Sequence, residues 1–147
     1  MKTDTKATSY NITDLGDNSY SLECFLSMPE QEKRILLGYI KFNINSNKVW
    51  ITRISVRQSH RRLGIGSQLL AKMEEFAKSD GAKLVEGKFY PLGVSESNLR
   101  AFYEKNGYFV PNKTHSWEDY DETWTLHKDI SKSSSPIKIS DEYTSTK

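Results

Sequence analysis

Between Trp50 and Lys78 the apolar pattern changes period, and that change constrains the fold more than any other feature of the chain. Val49–Val56 is rich in β-branched residues and alternates as a strand does. After Arg57–Arg62 comes Leu63-Gly64-Ile65-Gly66, and from Gly64 to about Lys78 the residues Ile65, Leu69, Leu70, Met73, Phe76 and Ala77 recur at helical spacing. Ser79-Asp80-Gly81 ends that helix, with Gly81 as a left-handed cap. Lys83–Tyr90 then reads as a strand again. A strand, a helix and a strand with such short connections form a parallel crossover, expected to be right-handed.

The flanking segments read as antiparallel. Tyr20, Leu22, Cys24 and Leu26 alternate with Ser21, Glu23 and Phe25; Leu36, Ile40, Phe42 and Ile44 form one face of a second run. Pro29-Glu30-Gln31-Glu32 separates these runs, and Asn45-Ser46-Asn47 turns the second into Val49–Val56. Beyond Pro91-Leu92-Gly93, Ser95 caps a second helix to about Asn106, with Leu99, Phe102 and Tyr103 on its inner side and Gly107 at its end. Tyr108–Val110 and Thr123–Ile130 read as a closing hairpin. The expected fold class is α/β (α+β), a mixed and mostly antiparallel sheet around a central parallel strand–helix–strand unit.

At 147 residues and 36% hydrophobic, the chain reads as one domain over residues 1–130. Met1–Ser9, Lys/Thr-rich, and the Ser/Thr-rich tail 131–147 are expected to be mobile. The formal net charge of +2 gives no general reason to bind nucleic acid or an anionic membrane. The short basic cluster Arg57, His60, Arg61 and Arg62 adds little to that case, so no nucleic-acid partner is expected. The lone Cys24 excludes an internal disulfide and reads as a small buried apolar side chain, pointing to a reducing compartment and a cytoplasmic protein. The longest apolar run, Ile35–Ile40, is far below the roughly 18–20 residues that span a bilayer. Met1–Tyr10 has no signal-peptide apolar region.

Gly64 and Gly66 let a ligand approach the backbone, and the first helical turn beyond them offers unpaired N–H groups at the positive end of its dipole. Such a corner suits a phosphate or diphosphate, and a tight strand-to-helix turn without a ligand is the alternative reading. It is not a P-loop, because no Lys-Ser/Thr follows Gly66. It is not a dinucleotide fingerprint, because Leu69 stands where a third Gly or Ala is needed.

Arg61-x-x-Gly64-x-Gly66, between an Ile-x-Val strand and the amphipathic helix, resembles motif A of the GNAT family of N-acetyltransferases. Phe102-Tyr103-Glu104-Lys105-Asn106-Gly107-Tyr108-Phe109 resembles that family's FYEKxGF signature, and the likeness extends over Lys33–Ile130. The resemblance implies acetyl transfer from acetyl-CoA to an amine, with no metal. It implies that the backbone of Arg61, Arg62, Leu63, Gly64, Ile65, Gly66 and Ser67 holds the diphosphate. The pantetheine arm would lie beside Ile54, Ser55 and Val56, where a main-chain N–H, that of Val56, polarises the thioester carbonyl. Tyr103 matches the tyrosine that protonates the departing thiolate; an ordinary core aromatic is the other reading of that position.

The sequence departs from the family in three places. Glu96 stands where the family often has an Asn bonded to pantetheine, and Asn98, about 500° of helix from Tyr103, reads as a first-turn polar residue. No amphipathic helix precedes Val49, so the two N-terminal helices that wall the acceptor site are lacking. The acceptor side is then open or completed by a second copy in a homodimer. Thr52 stands where some members carry a Glu, leaving Glu86 as the carboxylate for a general base; a paired or solvated strand residue is its alternative, and water can serve instead. His115 is a weaker base candidate and His60 lies near the phosphate corner. The acidic stretch Glu118–Glu122 between Trp117 and Trp124 reads as a solvated tip or as an attractor for a cationic acceptor. A non-catalytic acyl-CoA-binding module is the rival function.

Overall fold

The computed structural model describes residues 7–28, 31–61, 63–89, 95–111 and 125–131. Four strands follow one another, β1 (Ala7–Gly16), β2 (Ser19–Met28), β3 (Lys33–Asn45) and β4 (Lys48–Val56). After a 3₁₀ turn at Gln58–His60 come helix α1 (Ile65–Ser79), β5 (Leu84–Lys88), α2 (Glu96–Lys105) and β6 (Thr125–Asp129). The sheet order is β1-β2-β3-β4-β5-β6, and only β4 and β5 are parallel neighbours. No helix lies among the described residues before α1 other than short 3₁₀ turns.

The alternation in the sequence builds one apolar face. Tyr20, Leu22 and Cys24 on β2 stand opposite Phe42, Ile40 and Gly38 on β3. Val49 and Ile51 on β4 stand opposite Val85 and Gly87 on β5. Helix α1 lays Leu69, Leu70, Met73 and Ala77 on this face, all at most 1% exposed, and each large side chain so buried contributes roughly 1.5–3 kcal/mol. The ring of Phe76 meets those of Tyr20 and Phe42 edge-on at 5.2 and 6.1 Å. Gly81, at φ +96°, follows the last turn of α1 as expected. At α2 the Ser95 hydroxyl accepts the backbone N–H of Asn98 at 3.0 Å, so Asn98 is indeed a first-turn residue.

Two elements depart from the sequence reading. Residues 7–9, grouped above with a mobile start, begin β1. The strand escapes notice because it is an edge, with only Tyr10 and Ile12 set toward the core between Ser9, Asn11 and Thr13. Tyr108–Val110 is not a strand but a single bridge, Phe109 with His127. The Arg100 guanidinium takes the carbonyls of Val110 and Pro111 at 3.1 and 2.7 Å, which removes those acceptors from a ladder, and Pro111 has no N–H to give. β6 lies between β5 and the Phe109 segment. Residues 1–6, Arg62, His115, the acidic stretch 118–122 and the tail beyond Ser131 lie outside the described residues.

Candidate functional site

The parallel pair β4–β5 shares a ladder only from Lys48↔Leu84 to Ile51↔Gly87. β4 nevertheless runs on to Val56 and stays paired with β3 as far as Gly38↔Val56. The ladder between the two strands ends next to a β-bulge. Lys41 faces Arg53 and Phe42 faces Ile51, so Thr52 is the extra residue, exposed and unmatched on β3. A bulge bends its strand and increases the local twist, and the ladder with β5 ends at the residue before it. At the closing pair the strands are tight: a Cβ on Gly87 would lie 3.3 Å from the Ile51 Cβ.

Past Ile51, β4 has no strand partner other than β3 among the described residues. The N–H of Arg57 donates to the Leu37 carbonyl on β3 at 2.6 Å. Successive strand N–H groups point to opposite edges, so those of Val56 and Ile54 point toward the gap. Ile54, Ser55 and Val56 are half-buried there. The Val56 carbonyl on the same edge accepts the Arg61 Nε–H at 3.2 Å, which ties the basic loop to the gap.

The two glycines of this corner are required for different reasons. Gly64 is the N-cap of α1 at φ +81° with nothing within 4 Å of a Cβ, so its backbone conformation is the requirement. A Cβ on Gly66 would sit 3.0 Å from the Phe102 ring and 3.7 Å from Val56 Cγ2, so there space is the requirement. No side chain caps α1 and no acid occupies its first turn. Among the described residues the N–H groups of Ile65, Gly66 and Ser67 have no side-chain cap. Arg61 and Leu63 are exposed beside them, Leu63 at 64%, and the His60 ring meets the Ser59 hydroxyl at 2.9 Å.

Helix α2 meets this corner through Phe102 and carries Tyr103, which is 5% exposed. The Tyr103 ring packs edge-on against Phe102 and Tyr108 at 5.2 and 5.6 Å. Tyr108 donates its hydroxyl to Glu74 on α1 at 2.7 Å, and Lys128 on β6 donates to the same carboxylate at 2.9 Å. Burial, with the Glu74 charge and hydrogen bond behind it, holds the Tyr108 hydroxyl well above its ordinary pKa. Burial alone pushes Tyr103 up to about 12, and among the described residues its hydroxyl has no hydrogen-bond partner. A buried phenol without a partner is uncommon unless a ligand supplies one.

Glu86 is placed otherwise. It lies in the closed part of the ladder opposite Trp50 and His127, one pair before the strands part, and its carboxylate pairs with Lys48 at 3.6 Å. The sequence reading gave no weight to Asn106, whose side-chain amide spans α2 and the first turn of α1. Its place between a helix end and Gly107 reads as an ordinary terminus, and only the fold brings Ser67 to it. Among the described residues no group of three or more His, Cys, Asp or Glu could hold a metal ion, and no helix is long and apolar enough to cross a membrane.

A model of the GNAT acetyltransferase family matches residues 3–108. No curated protein sequence matches the chain. Among solved structures, a candidate acyl-CoA N-acyltransferase from Klebsiella pneumoniae aligns with a TM-score of 0.60 at 15% identity, covering 86% of this chain and 98% of that one. The PaiA N-acetyltransferase from Thermoplasma acidophilum, in complex with coenzyme A, aligns at 0.55 and 22% identity over 74% of this chain and 60% of that one. A candidate streptothricin acetyltransferase from Bacillus anthracis, in complex with acetyl-CoA, aligns at 0.56 and 20% identity over 78% and 64%.

Proposed function

From the premise that this chain belongs to the GNAT acetyltransferase family, we propose that it transfers the acetyl group of acetyl-CoA to a primary amine by direct attack in a ternary complex. The observation that carries this reading is the parting of β4 from β5 after Ile51↔Gly87, next to a helix end with free amides. In this reading Arg61, Arg62 and the amides from Leu63 to Ser67 hold the diphosphate, and Ile54, Ser55 and Val56 flank the pantetheine arm. The Val56 N–H faces the thioester oxygen as it becomes negative, a donor worth ~3–4 kcal/mol of barrier. The amine nitrogen bonds to the carbonyl carbon, the C–S bond breaks, and the sulfur leaves with the electron pair. Tyr103, a phenol that burial keeps protonated up to about pH 12, gives the thiolate its proton. The new ammonium loses its proton to water or to Glu86. Glu86 takes that role only by leaving Lys48, so Glu86→Gln tests it: a base is marked by lost turnover and a lost acid limb of the pH profile.

The acceptor enters from the side that the family usually walls with N-terminal helices, an open face or one completed in a homodimer. The composition of Glu118–Glu122 favours a cationic amine such as a polyamine, an aminoglycoside or a lysine side chain. Acetyl-CoA as donor suits a cytoplasmic enzyme. Calorimetry with coenzyme A, followed by CoA-release assays over neutral and cationic amines at low and raised salt, tests the whole reading. Binding with salt-sensitive turnover of cations is expected. Binding without turnover on any amine turns the reading to a non-catalytic acyl-CoA-binding module, and no binding overturns both.

A further inference from the structure

We propose that Asn106 is a positioning residue that fixes the Ser67 hydroxyl as a hydrogen-bond donor to the diphosphate, an inference that rests on the coenzyme A reading above.

The backbone decides the orientation of the Asn106 amide. Asn106 Nδ2 lies 2.8 Å from the Phe102 carbonyl, which can only accept. The side chain must therefore present its NH₂ there, and the usual ambiguity between amide oxygen and nitrogen is removed. The same Nδ2 lies 3.0 Å from Ser67 Oγ. With one hydrogen on Phe102 and the other on Ser67, the amide leaves the hydroxyl no choice but to accept. The hydroxyl hydrogen then has to point elsewhere, and among the described residues no acceptor meets it.

Ser67 is the third residue of α1, in the turn whose own N–H groups are uncapped. A hydroxyl there that has been made to accept from one side is left to donate on the other, beside the free amides. Asn106 is itself held at its main chain, because Lys128 Nζ donates to its carbonyl at 2.9 Å while pairing with Glu74 of α1. The amide thus joins the end of the helix carrying Tyr103 to the turn that faces the diphosphate. A bare serine hydroxyl rotates among several acceptors; this one is set before the ligand arrives, which lowers the ordering cost of binding.

The test is a double-mutant cycle on the dissociation constant of coenzyme A, measured by calorimetry on the full chain. Ser67→Ala is expected to weaken binding about tenfold, the size of a hydrogen bond to a charged group. Asn106→Ala, which frees the hydroxyl without removing it, is expected to weaken binding about threefold when Ser67 is present and not at all in the Ser67→Ala background. Equal losses in both backgrounds, or no loss from Ser67→Ala, overturn the inference. If Asn106→Ala does not fold, Ser67→Ala still decides by itself whether the hydroxyl contributes. A wild-type chain that does not bind coenzyme A overturns the underlying reading instead, so the two failures are distinct.

Discussion

β4 is one strand with two fates. Lys48–Ile51 is clamped between β3 and β5, with Val49 fully buried and Ile51 6% exposed. Beyond the unmatched Thr52, Arg53–Val56 keeps only its β3 partner among the described residues. The difference coincides with one extra residue, Thr52, at the register shift of β4 on β3. Composition therefore does not separate a half-strand paired on both edges from one paired on a single edge. What separates them is which neighbour each half has lost.

The strongest challenge to that contrast is deletion of Thr52. Without it Lys41↔Arg53 and Phe42↔Ile51 become adjacent regular pairs, and the strand loses the bend that parts it from β5. Loss of detectable coenzyme A binding by calorimetry is expected, with cooperative unfolding retained. Undiminished binding shows that the bulge is not what opens the gap. Next in size is Tyr103→Phe, expected to lower turnover at least ~tenfold while coenzyme A affinity is kept; steady-state kinetics beside calorimetry check it. The closed half should respond in the opposite way. Ile51→Ala is expected to cost about 2–5 kcal/mol in urea unfolding, and to leave the affinity of the folded fraction for coenzyme A intact.

The smallest effect is on pH dependence. Tyr103 ionises at about 12 in the fold against 10.0 for an exposed tyrosine, because burial disfavours the phenolate. Unfolding therefore releases a proton above pH 10, so the stabilisation is whole below that pH and is lost as pH rises toward about 12. Urea midpoints across that window should fall for the wild type and fall less for Tyr103→Phe, which keeps the contributions of Tyr108 and Cys24, both raised by burial. Parallel curves for the two proteins contradict a desolvated Tyr103.

Most of the fold was legible before the structure. The strands at Tyr20, Phe42 and Val49, the helix from Ile65 and its Gly81 stop all follow from periodicity and turn chemistry, which are local. β1 was not, because an edge strand needs little apolar signal. The apolar run Tyr108–Val110 reads as a strand, but in the fold it makes one bridge to β6, and Arg100 takes the carbonyls of Val110 and Pro111. In the site, Gly64 and Gly66 were legible as a pair, but not that one answers a backbone angle and the other the Phe102 ring.

The sequence by itself determined where helix follows strand, which faces are apolar, and that a helix end rich in free N–H groups lies beside arginines. Those are properties of neighbours along the chain. The tertiary structure alone decided that the β4–β5 ladder ends at Ile51, that the Tyr103 hydroxyl is buried with no partner among the described residues, and that Asn106 reaches Ser67 across 39 positions. These depend on register and on contacts between segments far apart in the chain, and no local pattern encodes them.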